Sequence, residues 1–198
     1  MMISSQDMIN LEANSDIPRI VLMENAGKQV YQNIKEKFGL KDKRILVVCY
    51  HGNNGGDGFV AARHLCDEAE TDVLFVGDEN KLKNEALANY RKIGNNAKIQ
   101  FIDEYQVDYG AYDIIIDAIF GIGFKGELGR DISAILEFVN ESKASKVAID
   151  IPTGIYADSA EIKGKYVNAD LIITFHDLKK SLEQFQDKTI VADIGITK

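Results

Sequence analysis

Three short stretches of the chain concentrate side chains that can bind ions, move protons or let a ligand approach the backbone. The first is His51-Gly52 followed by Asn53, Asn54, Gly55, Gly56, Asp57 and Gly58. The second opens at Asp117 and contains Gly121, Ile122, Gly123, Phe124, Lys125, Gly126 and Glu127; the third is Asp150-Ile151-Pro152-Thr153-Gly154. Glycine removes the Cβ that would hold a ligand off the main chain. Free N–H groups beside a helix start favour phosphate oxygens, and a carboxylate can serve as a general acid or base. Asn54, Asp117, Asp150 and Thr153 offer oxygen donors only, a set that suits a hard cation better than zinc.

The second stretch matches G-x-G-x-x-G at Gly121, Gly123 and Gly126 and leads into a helical pattern, as a phosphate-binding turn requires. The first also contains Gly56-x-Gly58-x-x-Ala61, with Asp78 at about the distance that a dinucleotide fingerprint demands, so an NAD-dependent dehydrogenase is one alternative. Two features oppose it: a long loop precedes the motif, and Asp57 sets a carboxylate where a pyrophosphate would lie. Phosphates are therefore expected on the second stretch, and hydroxyl, amide or cation contacts on the first. Each feature also has a plainer explanation, since Asn and Gly serve turns, Asp117 could cap a turn, and Asp150 could be a solvated strand end. His51, His64 and His176 show no metal-ligand spacing. No Ser/His/Asp arrangement and no Walker lysine stand out.

All three stretches follow strand-like segments. Short apolar runs occur at 45–49, 73–76, 99–102, 114–116, 147–151, 171–175 and 189–194, as expected for strands buried on both faces. Helical stripes lie among them. Leu22, Ala26, Val30, Ile34 and Phe38 form one, with Gly39 as C-cap; Leu82, Ala86, Tyr90 and Ile93 form another, closed by Gly94. Ile132, Ile135, Leu136 and Val139 form a third, with Asp131 expected as its N-cap. Alternating strands and helices imply a mostly parallel sheet covered on both faces, with ligands beyond the strands' carboxyl ends. No repeat or linker divides the chain, so 1–198 reads as one domain.

The formal net charge of −8 argues against nucleic acid and anionic membrane partners, both of which call for cationic side chains. Cys49 and Cys66 lie in apolar segments without CxxC spacing and read as reduced thiols of a cytoplasmic protein. No apolar run approaches the ~20 residues of a membrane span, and no secretory signal is visible.

Gly52-Asn53-Asn54-Gly55-Gly56-Asp57-Gly58, continuing into Val60-Ala61-Ala62-Arg63-His64-Leu65, resembles the signature of the NAD(P)H-hydrate epimerase family, the YjeF N-terminal domain. Met23-Glu24-Asn25-Ala26-Gly27, Asp117-Ala118-Ile119-Phe120-Gly121-Ile122-Gly123 and Asp150-Ile151-Pro152-Thr153-Gly154 resemble its other motifs, and the likeness spans nearly the whole chain. Tyr50 and His51 depart from the small residues or proline common there, which bears on the site entrance.

The resemblance implies a Rossmann-like three-layer α/β/α sandwich acting on hydrated NADH and NADPH. It implies one potassium ion per subunit on Asn54, Asp117 and Thr153, and a substrate held by residues 53–57, residues 121–127 and Asp150. A homodimer and a fused or separate dehydratase partner are implied too. Within that reaction Asp150 is expected to exchange protons with the ring hydroxyl and to stabilise positive charge on the ring. The alternative within the same fold is a non-catalytic nucleotide-binding or dimerisation module, which would be expected to lose these carboxylates and asparagines.

Overall fold

A computed structural model describes residues 2–103, 106–162 and 164–196. Among them, nine strands and five α-helices follow one another as β1 (Met2–Ile3), α1 (Ser5–Asn14), α2 (Arg19–Phe38), β2 (Arg44–Cys49), α3 (Asn53–Leu65), β3 (Glu70–Phe75), α4 (Asn84–Gly94), β4 (Ile99–Ile102), β5 (Ile114–Ala118), α5 (Arg130–Glu141), β6 (Ser145–Ile149), β7 (Leu171–Phe175), β8 (Leu178–Lys179) and β9 (Thr189–Ala192). The strand-like runs of the sequence thus become strands because each can bury both faces. In β2, Ile45, Val47 and Cys49 pack with Val30, Ile34 and Phe59 of α2 and α3, whereas Leu46 and Val48 join Ile135 and Leu136 of α5. That is a Rossmann-like three-layer sandwich.

The main sheet has seven parallel strands in the order β4-β3-β2-β5-β6-β7-β9. The chain moves outward from β2 to β4 and then returns to lay β5 on the other side of β2. The crevice between the ends of β2 and β5 is the topological switch point, where ligands of such sheets bind. A separate parallel pair, β1 with β8, aligns Ile3 with Lys179 and brings the N-terminal segment to the same end of the sheet.

Several boundaries differ from the sequence expectation. Asn53–Leu65 is helical from its first residue, with Gly52 as N-cap, so residues 53–57 are the first turns of α3 and not a loop. Asn and Gly are poor helix formers, but packing decides here. A Cβ at Gly55 would overlap the Tyr50 carbonyl oxygen, one at Gly56 would overlap the Met23 thioether, and one at Gly58 would meet the Ala118 methyl. Only residues 50–52 separate β2 from α3, so the objection to a dehydrogenase based on a long loop fails. A different one replaces it: Gly56 and Gly58 lie inside the helix, packed against protein, and Asp78 caps the following 3-10 turn through Asn80 N–H.

The run at 147–151 stops as a strand at Ile149, because Asp150 adopts a left-handed φ of 64°. β9 likewise ends at Ala192. Leu82 precedes α4, Gly94 is its last residue, and α5 is capped by Gly129 with Asp131 in its first turn. The expected Gly39 cap is present, with φ 67° and its N–H on the Lys35 carbonyl.

α2 is fastened by the Met23–Gly27 segment. Glu24 bonds Arg63 and His64 of α3, with His64 Nε2 at 2.9 Å, and Asn25 Nδ2 donates to the Ile194 carbonyl at 2.8 Å. His64 therefore serves helix packing. Among the described residues, no helix is long and apolar enough to cross a membrane.

Candidate active site

The strand ends at the switch point open into a cavity of about 330 Å³, within the usual size range of small-molecule sites. Its walls include Asn53, Asn54 and Asp57 of α3, residues 119–124 after β5, Asp150 after β6 and Lys179 of β8. Met8, Ile9 and Glu12 of α1 close it from above, and Tyr50 and His51 stand at its side.

Asp150 is the most heavily engaged group. Its left-handed backbone turns the chain out of β6, and its N–H donates to the Ile173 carbonyl at 2.8 Å. The buried carboxylate accepts from Ile122 N–H at 3.1 Å and Thr174 Oγ1 at 3.1 Å, and pairs with Lys179 Nζ at 2.9 Å. Lys179 is itself fully buried and donates to Thr174 Oγ1 and the Phe175 carbonyl, each at 2.8 Å. A buried charge of this kind survives only when paired and hydrogen-bonded. Gly121 is needed beside it: a Cβ there would stand 2.8 Å from Asp150 Oδ2 and 3.2 Å from Asn54 Oδ1.

Below, Asp117 and Thr153 lock the second stretch to the third. Thr153 Oγ1 donates to Asp117 Oδ1 at 2.7 Å and Thr153 N–H to Oδ2 at 2.8 Å, while Phe120 N–H donates to Thr153 Oγ1 at 3.0 Å. Burial raises the Asp117 pKa to about 6, against hydrogen bonds from Thr153 and Ile119 that lower it. Asn54 is buried as well, yet neither Oδ1 nor Nδ2 has a partner among the described residues. An orphaned carboxamide is costly. Asn54, Asp117 and Thr153 all carry oxygen atoms, the donor type that a hard cation requires.

Not every residue singled out in the sequence reaches this cavity. Gly55 and Gly56 face Tyr50 and Met23 inside the fold, and Lys125, Gly126 and Glu127 are exposed. Gly126 and Glu127 edge a second recess of about 460 Å³ with Tyr156 and Lys165. Stacked rings join the two places, with Phe120–Phe124 centroids 5.1 Å apart and Phe124–Tyr156 5.3 Å. Tyr50 meets Phe120 edge-on at 4.9 Å and lies 3.9 Å from the His51 ring, so these two departures form one side of the mouth. Burial and the nearby Lys81 lower the His51 pKa, against the carboxylate of Asp78.

Glu12, Thr174 and Lys179 were invisible as site residues. Thr174 lies inside the 171–175 run that reads as a strand, and Lys179 in a segment with no distinctive spacing. α1 did leave a signal, since Ser4 accepts from Asp7 N–H at 3.1 Å, the capping pattern of a helix start. The two thiols stay out of the chemistry, since burial pushes up the pKa of both Cys49 and Cys66.

Comparison with known proteins adds independent information. The family model described as YjeF-related protein N-terminus matches residues 19–181. The NAD(P)H-hydrate epimerase of Oenococcus oeni is 36% identical over 186 residues, covering 91% of this chain and 88% of that protein. Bifunctional NAD(P)H-hydrate repair enzymes of Pyrobaculum aerophilum and Archaeoglobus fulgidus are 36% and 38% identical, each across 98% of the chain. The chain spans only 42% and 41% of the length of those two relatives. The yeast protein ynu0 superimposes with a TM-score of 0.82 at 24% identity, over 98% of this chain and 88% of its own, a likeness of fold.

Proposed function

The chain belongs to the YjeF-related protein N-terminus family, and from that premise we propose that it epimerises hydrated NADH and NADPH at the hydroxylated ring carbon. The observation that carries this proposal is Asp150, whose carboxylate stands in the cavity wall, oriented by Lys179, Thr174 and Ile122 N–H. Loss of the ring hydroxyl leaves an iminium-like ring, and water returns to the opposite face. Asp150 offers negative charge to that cation and a site for a proton. The cavity suits the reacting ring, and the phosphates would leave along residues 121–124, where Gly121 and Gly123 expose the backbone.

One potassium ion per subunit belongs to this proposal, held by Asn54, Asp117 and Thr153. The unpartnered Asn54 oxygen and the oxygen-only donor set support it. When bound, the ion would supply a fixed positive charge that orders loops and substrate. Homodimerisation, a fused or separate dehydratase and a cytoplasmic location complete the proposal; free, buried Cys49 and Cys66 support the last. A dehydrogenase finds no support, because the glycines of its fingerprint are packed inside α3.

The test is to follow the separated R and S hydrates of NADH by chromatography, with and without protein and potassium. Accelerated interconversion is expected, and Asp150→Ala should slow it by about 100-fold or more. Wild-type protein that binds the hydrate without turning it over would leave only a binding module. Redox change of the nucleotide would revive the dehydrogenase.

A further inference from the structure

Three carboxyl groups from three separate elements enter the cavity: Glu12 from α1, Asp57 from α3 and Asp150 after β6. The buried cation Lys179 also lines this cavity, and its direct contact is with Asp150 at 2.9 Å. Asp150 also accepts from Ile122 N–H and Thr174 Oγ1. Asp57 has the opposite surroundings. Among the described residues no hydrogen-bond donor reaches its carboxyl, and what acts on it is burial together with the charges of Glu12 and Asp150. Arg19 and Glu85 share a small recess behind it with Glu12, and His51 stands along the same cavity.

Resting on the epimerase proposal above, we propose that Asp57 is the proton donor to the departing hydroxyl, working with Asp150 as the proton acceptor. Asp150 is ion-paired and hydrogen-bonded whereas Asp57 has neither contact, and unlike surroundings of this kind divide acid from base between two carboxyls. Burial, Glu12 and Asp150 raise the Asp57 pKa well above the ordinary carboxyl value, so that it holds its proton. Burial and Asp150 raise that of Glu12 as well, with Lys179 and Arg19 pulling it down.

The steps balance. Asp57 gives its proton to the ring hydroxyl, the C–O bond breaks, and water leaves while the ring nitrogen lone pair forms C=N⁺. A water then adds to the other face, its O–C bond returns the electron pair to nitrogen, and Asp150 takes its proton. Transfer of that proton back to Asp57 through water in the cavity resets the site. The reverse epimerisation follows the same proton path backwards. Glu12 contributes by keeping a second acidic group against Asp57.

The experiment measures kcat and KM on the separated hydrates of NADH across mildly acidic to alkaline pH, for wild type, Asp57→Asn and Glu12→Gln. Wild-type kcat should fall as pH rises through the raised Asp57 pKa, because the donor must be protonated. Asp57→Asn should lose about 100-fold or more in kcat with little change in KM, and its residual rate should lack that alkaline limb. Glu12→Gln should move the limb to lower pH. Asp57→Asn should melt no lower than wild type, since it removes an unpaired carboxyl, so loss of activity in a folded variant is interpretable. Wild-type kcat in Asp57→Asn, or a loss confined to KM with the alkaline limb intact, overturns the assignment of Asp57. Absence of turnover in the wild type would instead overturn the epimerase itself.

Discussion

Apart from Gly121, which is packed beside Asp150 and Asn54, the two glycine-rich segments at the switch point use glycine in opposite ways. In the first, Gly55, Gly56 and Gly58 sit within α3 with their α-carbons pressed against the Tyr50 carbonyl, Met23 and Ala118. There, glycine is a packing residue that lets α3 descend onto β2 and β5 and carry Asn54 and Asp57 into the cavity. In the second, no atom of the described residues beyond the chain neighbours lies within 4 Å of where a Cβ would stand at Gly123 and Gly126. There, glycine leaves the backbone open to the cavity and to solvent. Richness in glycine alone does not distinguish these uses; what lies against each α-carbon does.

The sharpest break between the two segments is expected at Gly55→Ala. The new methyl would overlap the Tyr50 carbonyl oxygen, so the 50–52 turn and the start of α3 must move apart. A loss of about 4 kcal/mol or more follows, among the largest single-residue effects, and the variant should be unfolded or should show a much lower urea midpoint. A wild-type midpoint would show that α3 does not depend on this close approach. The contrast between the segments would then collapse.

The same contrast explains what could be read from the sequence. Strands β2, β5, β6 and β7 were legible because a short run such as Ile45–Cys49, apolar at every position, has few alternatives to burial on both faces. α2 was legible from its four-residue stripe and Gly39. The start of α3 was not, because Asn53 to Gly58 oppose helix by local propensity and only tertiary packing overrides it. The strand-end rule brought Asn54, Asp117, Asp150 and Thr153 into view, and these lie at the observed switch point. Thr174 was missed because it lies within the 171–175 strand run and not after it, and Lys179 because it follows no strand run read from the sequence. Lys179 lies in β8, a two-residue strand paired with β1 that has no periodicity to detect. Glu12 was missed with the rest of α1, although Ser4 and Asp7 carried its capping pattern.

A smaller effect is expected at Gly126→Ala in the second segment. Space is open around this position, but its φ of 92° lies where L residues are strained. The cost should be about 1–2 kcal/mol, equivalent to a drop in Tm of roughly 2–8 °C for a chain of this size. Because no packing is lost, the drop measures backbone strain alone. An unchanged Tm would mean that the 121–127 loop relaxes freely, and a collapse like that of Gly55→Ala would mean that it is packed after all.

The smallest effect on stability is expected at Gly123→Ala, where neither packing nor φ opposes a methyl group. The change should stay within about ±0.5 kcal/mol, as for an ordinary surface substitution. Function should separate from stability at this position. Gly123 lines the cavity beside Ile122 and Phe124, and a methyl group there would hold a ligand's phosphates away from the backbone. KM for the NADH hydrates should therefore rise several-fold while kcat, set at Asp150, stays close to wild type, since the variant loses binding common to ground and transition states. Steady-state kinetics on the separated hydrates reads both constants. An unchanged KM would mean that the phosphates do not approach Gly123 and leave the cavity by another route, with the second recess beside Gly126 and Tyr156 the next place to test.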